Sequence, residues 1–136
     1  MIEFCLQNIY DGWQSVRSPD NIEFTVRMSE RRSFDVFASI VELVELYEKV
    51  RAKEECNMMI GTGNIIQIKT ADEGVILRFD ERYETSTTFD NLESSIEQLL
   101  QNLFFQLPDD LSLIPESERE AYPFVEDVYQ NVTSEN

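Results

Sequence analysis

The chain has 136 residues, 27 of them acidic against 11 basic, with no histidine and a net charge of -16. That length suits one domain able to bury roughly 65–70% of its unfolded surface, so a core needs no metal or disulfide to form. So negative a charge opposes direct contact with nucleic-acid phosphates or anionic lipid. It favours partners that are basic or carry basic patches, although acidity also serves solubility.

Ile2, Phe4 and Leu6 alternate with Glu3, Cys5 and Gln7, the period-2 pattern of a half-buried strand. Two turn signals follow, Asp11-Gly12 and Ser18-Pro19-Asp20-Asn21, with Trp13 and Val16 between them. Ile22, Phe24, Val26 and Met28 alternate cleanly and predict a second strand. Ser33 is a candidate helix cap, with Asp35 in the first turn. Val36, Phe37, Ile40, Val41, Val44, Tyr47 and Val50 then recur at helical spacing, and Leu43 and Leu46 widen the apolar face. This helix should fade near Glu54 and Glu55.

Met58 to Ile60 and Ile65 to Thr70, joined by Gly61-Thr62-Gly63-Asn64, predict a β-hairpin. After the turn Ala71 to Gly74, Val75, Leu77 and Phe79 alternate as another strand, and Tyr83 to Phe89 suits one more. Asp90 and Glu93 have capping-box spacing. Leu92, Ile96, Leu99, Leu100, Leu103, Phe104 and Leu107 form an amphipathic stripe that Pro108 ends.

Residues 1–107 thus read as an α+β core, a mostly antiparallel sheet of about five or six strands with two main helices on one face. Residues 108–136 change character, with three of the four prolines and eight acidic residues against Arg119. Leu111, Leu113 and Ile114 form an apolar knot there. Val125, Val128, Tyr129 and Val132 fit a short helix, so this acidic segment should pack on the same domain with only its last residues free.

The absence of histidine removes the commonest general base near neutral pH, the Ser-His-Asp and Cys-His arrangements, and most zinc sites. No phosphate-binding loop or dinucleotide fingerprint occurs. Gly61-Thr62-Gly63 lies between strands and reads as a turn. The adjacent pairs Asp109-Asp110 and Glu126-Asp127 lack the alternation of a calcium loop and read as solvated surface. The expectation is a protein without catalytic residues, cofactor or metal. Cys5 and Cys56 form no CxxC pair and read as free thiols, which suits a reducing compartment. The start, Met1-Ile2-Glu3-Phe4, has no signal-peptide pattern, and no apolar run approaches the roughly 18 residues of a membrane span. The expected location is the cytoplasm.

Charge is distributed unevenly. Residues 1–82 carry 15 acidic and 10 basic residues, a net of -5, whereas residues 83–136 carry 12 acidic residues and Arg119, a net of -11. Glu93 and Glu97 lie four apart on the side of the second helix read as exposed, a like-charge pair that mildly opposes the helix. Farther on, Asp109, Asp110, Glu116, Glu118, Glu120, Glu126 and Asp127 surround Tyr122, Phe124 and Tyr129. Aromatic anchors ringed by charge suit a protein interface, although Phe124 and Tyr129 can equally pin the segment to its own core. The candidate partner-binding residues are therefore Glu93, Glu97, Asp109, Asp110, Glu116, Glu118, Glu120, Tyr122, Glu126 and Asp127.

Across its whole length this acidic α+β pattern resembles the small immunity proteins of bacterial polymorphic-toxin and contact-dependent inhibition systems, without a diagnostic motif. The resemblance implies a non-catalytic cytoplasmic protein that neutralises a cognate toxin, often a basic nuclease, by steric and electrostatic occlusion. Other readings are a DNA-mimicking anti-restriction inhibitor, a structural or adaptor subunit, and a carboxylate-metal enzyme. Whether the chain is a monomer or a homodimer is open at this level.

Overall fold

A computed structural model describes residues 2–9, 22–29, 31–61, 63–105 and 124–133. The elements run β1 (Glu3–Ile9), β2 (Ile22–Ser29), β3 (Arg32–Ala38), α1 (Ile40–Arg51), β4 (Cys56–Ile60), β5 (Asn64–Ala71), β6 (Gly74–Phe79), β7 (Tyr83–Thr87), α2 (Phe89–Phe105) and α3 (Phe124–Thr133). The α+β class read from the sequence holds. The strands, however, form two antiparallel sheets rather than one: β1-β2-β3 and β4-β5-β6-β7. The division falls where α1 separates β3 from β4, which approach one another without forming a ladder.

The main correction lies at β3. Ser33, Asp35, Val36 and Phe37 do not open a helix; they belong to a strand paired along β2 from Ile22↔Ala38 to Ser29↔Arg32. Val36 and Ala38 point into the core beside Ile22, Phe24 and Val26, while Asp35 accepts a hydrogen bond from the Thr25 hydroxyl at 2.9 Å across the ladder. The apolar residues of this stretch satisfy a period of two as well as a helical one, and pairing with β2 decides between them. The helix is capped instead by Ser39. Its hydroxyl accepts from the Glu42 amide at 3.2 Å, and the Glu42 carboxylate accepts from the Ser39 amide at 2.9 Å, a reciprocal capping box. At the other end the Glu54 amide reaches the Lys49 carbonyl and the Lys53 amide the Val50 carbonyl, with Lys53 left-handed at φ 59°. This is a Schellman closure built without glycine.

A similar shift occurs at α2. Its cap is Thr88, whose hydroxyl accepts from the Asn91 amide at 3.0 Å, so β7 stops at Thr87 and Phe89 is already helical. Asp90 sits in the first turn, where its charge favours the helix dipole, rather than at the cap. Leu107, Pro108 and the knot of Leu111, Leu113 and Ile114 lie outside the described residues, as do Trp13, Val16 and the turns around them.

Alternation places Ile2, Phe4, Phe24, Val26 and Val36 on one face of the first sheet, and Ile60, Ile66, Ile68, Val75, Leu77 and Phe79 on one face of the second. These residues join the helices in a single apolar core. Helix α2 packs on β1 and α1, while α3 packs on α1 and α2. Asn91 and Ser95 of α2 hold the chain just ahead of β1: the Ile2 amide donates to Asn91 Oδ1 at 3.3 Å and Ser95 Oγ donates to the Ile2 carbonyl at 2.6 Å. The sheets themselves meet through Phe34 of β3, whose ring stacks on Phe79 of β6 at 4.7 Å and tilts against Tyr83 of β7 at 4.8 Å.

Two substitutions test this framework by urea denaturation. Ser39→Ala should cost about 1 kcal/mol through loss of the cap. Gly74 has φ +135°, and a Cβ there would stand 2.4 Å from the Thr87 carbonyl oxygen, so Gly74→Ala should cost roughly 1–3 kcal/mol. Gln67 offers the opposite sign. Its carboxamide oxygen is buried without a hydrogen-bond partner among the described residues, so Gln67→Met should stabilise the fold by about 1 kcal/mol.

Candidate partner-binding surface

Carboxylates on this chain divide by what they hold. Several serve the backbone. Besides capping α1, Glu42 receives the Gly61 amide at 3.1 and 3.2 Å, tying the helix start to the β4–β5 turn. Asp80, left-handed at φ 55°, accepts from the Ile65 amide at 2.8 Å and from Asn64 Nδ2 at 3.2 Å, closing β6 against β5. Glu55 accepts from both the amide and the hydroxyl of Thr70, and these hydrogen bonds hold its carboxyl below the usual range. Any stability this gives is present above the ordinary carboxylate pKa and is lost as pH falls through the lowered one.

A second group gathers where α1 meets α2. Leu92, Ile96, Leu99, Leu100 and Leu103 turn toward the core, which leaves Glu93 and Glu97 on the flank facing α1. They are half-buried rather than on an exposed side, because the α1–α2 contact runs beside them. Between the helices lies Tyr47, buried among the apolar residues of α1. Burial chiefly raises the pKa of its phenol, the Glu97 charge raises it further, Arg51 opposes, and Glu93 and Glu48 add to the rise. Three carboxylates thus act on the Tyr47 phenol along an α1–α2 rim, Glu48 from one helix and Glu93 and Glu97 from the other, with Arg51 opposing them. Sequence reading placed Tyr47 at helical spacing among the apolar residues of the first helix and did not single out Glu48. Only the docking of two helices brings them to Glu93 and Glu97, and no spacing along one helix carries that signal.

Of the other predicted residues, Asp127 is exposed on α3. The helix places it on the same layer as α1 and α2, because Val128, Tyr129 and Val132 are buried against them. Tyr129 is a packing residue: only 9% exposed, it meets Phe104 edge-to-face at 5.0 Å. Gln101 Nε2 donates to the Val132 carbonyl at 3.3 Å and fixes the end of α3. Glu126 belongs to α3, but its side chain lies outside the described residues, as do the side chain of Phe124 and all of Asp109, Asp110, Glu116, Glu118, Glu120 and Tyr122. Phe105, at the end of α2, is 91% exposed.

Other chemistry is sparse among the described residues. No group of three or more Cys, Asp or Glu side chains is arranged to hold a metal ion, and no helix is long and apolar enough to cross a membrane. Cys5 and Cys56 are free and half-buried, and burial pushes the Cys56 thiol up. Comparison of the chain with protein-family models, with curated proteins and with solved structures gives no match.

The electrostatics around Tyr47 can be read directly. Glu97→Gln should lower the Tyr47 pKa, seen as an earlier rise of tyrosinate absorbance on alkaline titration. The raised pKa leaves the fold undiminished below the ordinary tyrosine value of 10.0 and costs stability as pH climbs through the raised one, because the ionised phenol is disfavoured in the folded state. Removing the Glu97 charge lessens that cost, so alkaline unfolding should move to higher pH in the variant.

Proposed function

We propose that this protein is a non-catalytic inhibitor that binds another protein, an immunity protein that neutralises a cognate basic toxin in the bacterial cytoplasm. The observation that carries the reading is the concentration of negative charge, a net of -11 in residues 83–136. Surface charge of one sign accelerates encounter with a partner of the opposite sign, and lowers affinity for nucleic acid and for anionic membranes. The α1–α2 rim supports the same reading. Three carboxylates act on one buried phenol where two packed helices meet, so this part of the negative surface is held by rigid elements and loses little freedom when a partner docks. Occlusion in this reading is steric and electrostatic: the acidic surface takes the place of a phosphate substrate in a basic cleft.

The test begins with affinity capture from the native host at low and then high salt, with bound proteins identified by mass spectrometry. One dominant basic partner, released by salt and inhibited in its own activity assay, is the expected result. No partner would shift the reading to a subunit separated from its assembly. A broad set of DNA-binding proteins would shift it to a DNA mimic. With the partner in hand, the association rate should fall about tenfold or more between low and high salt, since screening acts over about 8 Å at physiological ionic strength. The double variant Glu48→Gln/Glu93→Gln should slow association several-fold without destabilising the protein, because relief of like-charge repulsion offsets the loss. A salt-independent rate would refute steering.

A further inference from the structure

At one end of the molecule the turn between β2 and β3 meets the turn between β6 and β7. An aromatic ladder runs outward there, from Phe79 in the core, through half-buried Phe34, to half-buried Tyr83. On the outer ring lie two guanidinium groups. The Arg32 carbon is 4.8 Å from the Tyr83 centroid and the Arg82 carbon is 5.5 Å away. Arg31, beside them in the β2–β3 turn, is also exposed.

This arrangement runs against the charge of the chain. With 27 acidic residues and 11 basic ones, carboxylates are abundant, and Arg27 and Arg78 have found them in Glu3 at 3.7 Å and Glu84 at 3.8 Å. Among the described residues Arg32 and Arg82 form no such pair. Two acidic neighbours among the described residues are engaged elsewhere. Asp80 is bonded to Asn64 and the Ile65 amide, Glu84 lies against Arg78, and Glu81 is exposed and left-handed at φ 59°. Two like charges on one ring repel each other, and the Tyr83 quadrupole only partly compensates. An oxyanion between the forks would satisfy both.

We infer that the Arg32–Tyr83–Arg82 cluster is a carboxylate-binding site, a second and oppositely charged contact of the interaction surface. The inference rests on the reading that the protein works by binding another protein. A planar carboxylate matches the rigid donor fork of a guanidinium. The net charge of -16 makes each added negative charge costly, which favours a monoanionic carboxylate over a phosphate dianion. A carboxylate borne by a basic partner escapes most of that cost, because the partner's own charge carries it in. Arginine and tyrosine are also the residues that most often concentrate binding energy in interfaces. Here the ring is held by the Phe34 stack before any partner arrives.

The test is a titration of isotope-labelled protein followed at the arginine Nε–Hε resonances. The probes are a capped glutamate, inorganic phosphate and chloride at matched ionic strength. The expected result is a saturable shift of Arg32 and Arg82 with capped glutamate, half-complete at about 10 mM, while Arg27 stays unmoved. Arg32→Gln/Arg82→Gln should abolish it. Arg32→Lys, which keeps the charge and loses the fork, should weaken it several-fold in a protein with unchanged fold. Equal shifts with chloride, or equal shifts at Arg27, would mean screening alone and would overturn the site. Tighter saturation by phosphate than by glutamate would overturn the carboxylate assignment. The titration uses no protein partner, so its failure is distinguishable from failure of the inhibitor reading.

Discussion

The contact of Phe34 with Phe79 and Tyr83 is what makes two small sheets into one structure. Neither sheet is large, and the three-stranded one has little area with which to bury its apolar face alone. Because β3 and β4 do not pair, no hydrogen-bond ladder carries one sheet into the next. Side chains must do so, and Phe34 of β3 reaches both β6 and β7. The helices then close the remaining side: α2 against β1, α1 against α2, α3 over both. Placing an aromatic ring at that junction also leads the core outward to Tyr83 and its two arginines, so one stack both joins the sheets and supports a surface feature.

A chain with so many carboxylates must keep them from opposing one another across a small volume. The structure does this by giving part of them to the backbone. Glu42 serves two amides of α1 and the β4–β5 turn, Asp80 serves β5, and Glu55 serves Thr70. An ionised acceptor makes a stronger hydrogen bond than a neutral one, so these charges tighten the segments they serve. The carboxylates around Tyr47 are of another kind, acting together on a buried phenol. The ion pairs Arg27–Glu3 and Arg78–Glu84 are both exposed, where such pairs add little to stability.

Much of this was legible in the residue pattern. Alternation identified β1, β2 and β6, the hairpin pattern identified β4 and β5, and the leucine stripe of α2 is buried as its spacing predicts. The offsets of Val128, Tyr129 and Val132 announced α3. The stretch from Ser33 to Ala38 misled because residues 36, 37, 40 and 41 satisfy a helical template while 34, 36 and 38 satisfy a strand template. The deciding signal was present one turn on: Ser39-Ile40-Val41-Glu42 has capping-box spacing, which places the helix start after the strand. Thr88 was obscured by Asp90 in the same way. The α1–α2 rim and the Tyr83 cluster were not legible, since each unites residues from separate elements whose meeting is decided by packing.

The hold of α2 on the residue ahead of β1 has a consequence for how the chain reaches this state. Ile2 is bonded to Asn91 and Ser95, separations of 89 and 93 residues. The first strand can pair with β2 early, but its cover arrives only about 90 residues later. On a ribosome synthesising about 5–20 residues each second, the apolar face of the first sheet waits several seconds for α2. Contacts of this range also slow folding in free solution. The nascent protein is therefore most open to aggregation, and most in need of a chaperone, during the synthesis of its second sheet.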